Sequence, residues 1–164
     1  MYAAKGGHVY VLGNAAGRPL INAVGRPKVV INGTCLDYLA ESFMAGDPYS
    51  GGGFVVVNGL RPSHDGRLVE QATPYPGGNL FSLASGGAVF IRDPLGRVTS
   101  DQLKGGRLAE FSKRDWELIL PELQENERLF GISVEKNLLT INGELFSPSR
   151  VYRKIEPIPL QELT

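Results

Sequence analysis

The chain has 164 residues, enough for one domain with a real core, and its 17 basic and 17 acidic side chains cancel to a formal charge of zero. Those charges are mixed along the chain, so no basic stripe is present for nucleic acid or an anionic membrane, and no apolar run approaches a bilayer span. Residues 1–7 lack the apolar core of a secretion signal, so the expectation is a cytoplasmic protein; the single cysteine, Cys35, excludes an internal disulfide and a cysteine-built zinc or iron–sulfur site.

Glycine and proline, 21 and 11 residues, punctuate dense Val/Ile/Phe runs, which predicts many short strands separated by tight turns. The first is Gly6-Gly7-His8-Val9-Tyr10-Val11-Leu12-Gly13. Lys28-Val29-Val30-Ile31-Asn32-Gly33 follows, with Arg26-Pro27 in place of the double glycine. Gly52-Gly53-Phe54-Val55-Val56-Val57-Asn58-Gly59 and Gly86-Gly87-Ala88-Val89-Phe90-Ile91-Arg92-Asp93 repeat the pattern. Aligned on Gly13, Gly33, Gly59 and Asp93, the four give two pure columns: Val9, Val29, Val55, Val89 and Val11, Ile31, Val57, Ile91. The column between them (Tyr10, Val30, Val56, Phe90) is looser, and the last (Leu12, Asn32, Asn58, Arg92) is mostly polar. Side chains alternate across a strand, so the pure columns share one face, which must be buried.

The aligned strands recur after about 20, 26 and 34 residues, too far apart for hairpins and long enough for parallel returns. Asn14 to Gly25 is broken by Gly17, Pro19 and Gly25, whereas Cys35 to Met44 has the composition of a short helix. Asp47–Gly51 and Pro62–Pro76 read as sideways insertions. The expected fold is mainly β: a right-handed, single-stranded parallel β-helix with a C-terminal helical segment. A β-sandwich or barrel is the competing reading of the same alternation.

Gly105 to Phe111 forms a last candidate strand. Ser112 is then a helix N-cap, with Asp115 in the first turn, and Trp116, Ile119, Leu120 and Leu123 recur at helical spacing. Pro121 predicts two short helices rather than one, Gly131 a stop. The helical segment should lie over the open end or the flank of the stack. The segment from Ile141 to Thr164, with Pro148, Pro157 and Pro159, reads as extended. The organisation is thus coils over 1–111, a helical segment over 112–131 and an extended arm over 132–164, all in one domain.

The double-glycine strands Gly52–Gly59 and Gly86–Ile91, the connector Gly33–Gly46 with Leu36, Leu39 and Phe43-Met44-Ala45-Gly46, and the stretch Phe111–Gly131 resemble a known family. It is the glycine-rich (GXGXG) β-helix domain of the glutamate synthase large subunit, to which a domain of formylmethanofuran dehydrogenase is related. The likeness covers most of residues 6–131. It implies a structural subunit of a glutamate synthase-type oxidoreductase complex that has no catalytic residue, metal or cofactor of its own and is not catalytic alone. FMN and iron–sulfur centres would sit only on partner subunits. The implied partners are an amidotransferase and a flavin-bearing subunit; separately, the unpaired backbone groups of an open β-helix end predict that the end near His8 to Leu12 is covered by another subunit or a second copy of the chain.

Candidates for chemistry are few. His8 opens the first strand and is either a base or an ordinary end-of-stack histidine. Arg61, His64, Asp65 and Arg67 cluster in the Pro62–Pro76 region and could bind an anion or a small molecule. They carry the alternative reading, a binding module or enzyme working from the loops between coils. Cys35 follows Gly33-Thr34 near the predicted helix start, a position that would favour a thiolate; a buried structural cysteine is the competing reading. No phosphate-binding loop and no Gly-x-Ser-x-Gly elbow is present.

Overall fold

A computed structural model of the protein describes residues 1–162. Its strands and helices, in chain order, are β1 (His8–Val11), β2 (Lys28–Ile31), β3 (Phe54–Val57), β4 (Leu60–Pro62), β5 (Leu68–Glu70), β6 (Ala88–Arg92), β7 (Gly106–Ala109) and α1 (Lys113–Phe130). A π-helical turn (Val134–Leu139) follows, then β8 (Thr140–Ile141), β9 (Glu144–Leu145), α2 (Pro148–Val151) and β10 (Tyr152–Pro157). The whole is a mixed α/β fold organised by one six-stranded sheet of order β1-β2-β3-β6-β10-β7.

The aligned columns are real neighbours. β1, β2, β3 and β6 are parallel, and their register pairs Val9 with Val29, Val29 with Val55, and Val55 with Val89. Val11, Ile31, Val57 and Ile91 pair in the same way. Both columns enter one apolar cluster with Leu20, Leu39, Phe43 and Phe81 from the returns. Like β-branched side chains stacked on like ones leave no choice of register, because a one-residue slip would turn every column over.

The returns stack as well. Arg18, Leu20 and Asn22 have positive φ, as do Tyr38, Ala40 and Ser42, and again Asn79, Phe81 and Leu83. Every second residue is left-handed, and N–H groups among these residues point along the stack, while those of neighbouring residues such as Ala23 and Ala84 bond back within their own turn. Ala40 N–H donates to Pro19 C=O and Phe81 N–H to Leu39 C=O; Arg18 N–H reaches Asp37 C=O and Ser42 N–H reaches Ser82 C=O. The short helix expected over Cys35–Met44 is therefore absent. Left-handed backbone costs a non-glycine residue about 1–2 kcal/mol, and burial of Leu20, Ala40 and Phe81 together with the return-to-return hydrogen bonds offsets it.

Gly53 and Gly87 mark close approaches between these layers. A Cβ on Gly53 would meet Ala45 Cβ and Pro27 C=O at 2.8 Å, and one on Gly87, whose φ is +83°, would run into the Phe43 ring. Only glycine fits there.

Three further expectations change. Lys113–Phe130 is one continuous helix despite Pro121, capped by Ser112 and ended by left-handed Gly131. Pro121 and Glu117, whose carbonyl loses its partner, both lie on the exposed face, where water can bond it, and packing of the buried face outweighs the proline. The helix lies on the flank, across the outer face of the sheet, so β3 and β6 are buried on both faces rather than one. The segment read as an extended arm folds back: β10 inserts between β6 and β7, antiparallel to both. β7 is thus a strand, as expected, but joins the sheet only through β10. Residues 163–164, the end of the expected arm, lie outside the described residues.

Candidate functional site

The buried face of α1 carries Asp115, Ile119, Glu122, Leu123 and Asn126, a spacing that places all five on one side of the helix. Three of them are polar. A buried polar group is tolerated only with partners, and each of the three meets a different set.

Asp115 closes the capping box with Ser112 and accepts a 2.5 Å hydrogen bond from the Tyr49 hydroxyl. Lys154 of β10 stands 2.9 Å from the Tyr49 oxygen and 3.3 Å from the Asp115 carboxylate. Burial alone would raise the Asp115 carboxyl, but the bonds from Tyr49 and Ser112 and the Lys154 charge hold it below its ordinary value. Burial likewise pulls Lys154 down, and its bond to Tyr49 and the Asp115 charge carry it above its ordinary value.

Asn126 belongs to a ladder built from the polar column. It exchanges two side-chain hydrogen bonds with Asn32, at 2.8 and 2.9 Å. Asn58 donates to Asn32 at 3.0 Å, and the Tyr152 hydroxyl donates to Asn58 at 2.9 Å. All four side chains are essentially buried.

Glu122 reaches the first strand. It accepts from the Tyr10 hydroxyl at 2.6 Å and from His8 Nδ1 at 2.9 Å, with Lys28 at 3.6 Å. Burial favours the neutral acid, yet the Tyr10 and His8 bonds and the Lys28 charge reverse this and lower it. Tyr10 shifts upward, first by burial and then by its bond to that carboxylate. His8 is thus tied to the end of the stack with its ring half exposed.

This corner is also where the ladder ends. Among the described residues β1 has a neighbour on one edge only. Residues 3–5 cover the first return through Ala3 N–H to Ile21 C=O and Val24 N–H to Ala4 C=O, leaving the strand edge bare. Val9 and Val11 are only partly buried, whereas their column mates in β2, β3 and β6 have no exposed surface. Leu12 is 55% exposed and Tyr2 73%. His8-Val9-Tyr10-Val11 carries no proline and no lysine to blunt the edge, although at four residues the edge is short. The arrangement is suited to adding a strand.

The loop residues singled out in the sequence share one surface hairpin. Arg61, His64, Asp65 and Arg67 are all exposed on the β4–β5 hairpin. Asp65 accepts from Ser63 and from Arg67, 2.6 Å from its Nε, and those bonds hold its carboxyl down at about 2. The pair closes the turn. Cys35 is buried, with its thiol pushed up to about 12 by desolvation, and no helix begins beside it. No three His, Cys, Asp or Glu side chains group to hold a metal ion among the described residues, and none of their helices is long and apolar enough to cross a membrane.

Sequence reasoning missed Glu122, Asn126, Tyr49 and Lys154. The first two were within reach: 115, 119, 122, 123 and 126 keep helical period once Pro121 is allowed inside the helix. A search of protein-family models, of curated proteins and of solved structures found no match to this chain.

Proposed function

We propose that the chain is a non-catalytic assembly module, a right-handed parallel β-helix that joins a larger complex through the open edge of β1. The carrying observation is the contrast along the two columns: Val9 and Val11 keep exposed surface where every equivalent side chain has none. Parallel in-register strands, stacked returns and the near-universal right-handedness of parallel crossovers support the β-helix reading. The occupant is a strand of another subunit with aliphatic side chains at alternate positions, continuing the columns by edge addition. The resemblance of the glycine-spaced strands and of the Phe111–Gly131 segment supplies its class: the amidotransferase or flavin-bearing subunit of a glutamate synthase-type oxidoreductase, which would hold any FMN or iron–sulfur centre.

The test is co-purification of the tagged chain from its own cells, with hydrogen exchange read at the β1 amides. The expected result is a complex containing a flavin- or glutaminase-bearing chain, with Tyr10 and Leu12 amides protected only in that complex, and its loss in Val11→Lys. A monomer with fast-exchanging β1 amides, a homodimer through β1, or glutaminase turnover by the purified chain alone would each overturn the proposal.

A further inference from the structure

Arg92 ends β6 at the aligned position that Asn32 and Asn58 hold immediately after β2 and β3. It is 3% exposed, so its guanidinium has left water almost entirely. Its Nε donates to Leu138 C=O at 2.8 Å and its Nη2 to Glu70 at 3.0 Å. A guanidinium has five N–H donors, and among the described residues these two bonds leave its Nη1 edge open. The Glu70 carboxylate is about a third exposed and sits on the β5 strand of a surface hairpin.

That guanidinium lines a cleft of about 420 Å³ between the β4–β5 hairpin and the segment 136–142. Leu60, Leu68, Val69 and Ile141 supply apolar wall, and Lys136, Asn137 and Asn142 supply polar groups. The size and the balance of apolar wall with a few polar groups are those of a small-ligand site. The charges facing it are Arg92 and Lys136 against Glu70, a net excess of one positive charge.

We propose that this cleft binds a small organic monocarboxylate, its carboxylate on the free edge of Arg92 beside Lys136 and its apolar body against Leu68, Val69 and Ile141. A guanidinium N–H held largely out of water donates a charge-assisted hydrogen bond to a carboxylate, and a low-dielectric wall strengthens it. The excess of one positive charge selects a monoanion over a neutral molecule of the same shape. The site lies apart from the β1 edge and stands or falls independently of the assembly reading.

The test is titration of the full chain with hexanoate and, separately, with hexanol, followed in a nitrogen–proton correlation spectrum. Expected are saturable shifts at the Arg92 side-chain Nε–H and at the Lys136 and Ile141 amides at millimolar hexanoate, with hexanol weaker by roughly tenfold or more, the scale of one charge-assisted contact. Lys136→Glu, an exposed position that leaves Arg92 in place, should weaken hexanoate by roughly the same factor while the rest of the spectrum stays native. No saturable shift, equal shifts with hexanol, or unchanged affinity in Lys136→Glu would overturn it.

Discussion

The two faces of the β1-β2-β3-β6 ladder are both buried in its interior and are built on opposite principles. The inner face repeats: each strand presents the same two aliphatic positions, and every cross-strand pair on it is aliphatic against aliphatic. The outer face does not repeat. Val30, Val56 and Phe90 pack beneath α1, where Phe54, Phe90, Phe111 and Tyr152 form a run of ring contacts, and three buried polar side chains of α1 each meet a different partner set. A repeating face fixes register at low information cost. A non-repeating one fixes which single helix, in which single position, completes the fold.

The largest test of that contrast is Val55→Asp on the inner face. It puts a carboxylate between Val29 and Val89 in the apolar cluster, so a loss above about 4 kcal/mol is expected, a large fraction of the roughly 5–15 kcal/mol that stabilises a domain. Urea denaturation should show a midpoint far below the wild type's; an unchanged midpoint would mean the inner columns are not the core. Next is Gly87→Ala. The added methyl strains a left-handed residue and strikes the Phe43 ring, so about 3 kcal/mol should be lost. A loss below about 1 kcal/mol would show that the layers do not approach so closely at this corner.

On the outer face, Asn32→Ala should cost about 2–3 kcal/mol by leaving Asn126 and Asn58 groups unpaired in a dry site. Its signature is coupling: in a double-mutant cycle with Asn126→Ala the second substitution adds little, because the groups already lack partners. Additive losses would dissolve the ladder into separate contacts.

The smallest effect is expected at Glu122→Gln, about 1 kcal/mol at neutral pH, since His8 is half exposed and Lys28 a third exposed. The informative readout is pH. Glu122 is held below its ordinary 4.5 in the folded chain, so its contribution is complete above that value and fades as pH falls through the lowered folded value. The wild type should therefore lose stability below about pH 4.5 more steeply than Glu122→Gln. Parallel acid curves would show that the Tyr10–His8–Glu122 contacts do not hold α1 to β1.

How much was legible in advance follows the same division. The pairings of Val9, Val29, Val55 and Val89 could be read because alternation and repetition carry register in the residues themselves. Ser112 and Gly131 were legible because caps are local. The Cys35–Met44 return was not: its composition suits a helix, and only neighbouring returns, bonding to it from above and below, hold Tyr38, Ala40 and Ser42 left-handed. Pro121 misled for a related reason, because its cost depends on which side of the helix faces water. The hairpin residues Arg61, His64, Asp65 and Arg67 read as a charge cluster, while the geometry closes Asp65 and Arg67 on each other.

The sequence by itself determined the four-strand parallel ladder, its register, its glycine corners and the ends of the helix, since each depends on residues that sit beside one another or recur at a fixed period. Tertiary structure alone decided that α1 covers the outer face, that β10 slips between β6 and β7, and that Glu122 meets His8 across 114 residues of chain. Those choices rest on partners brought together from far along the chain, each satisfying a buried polar group only after the ladder exists to receive it.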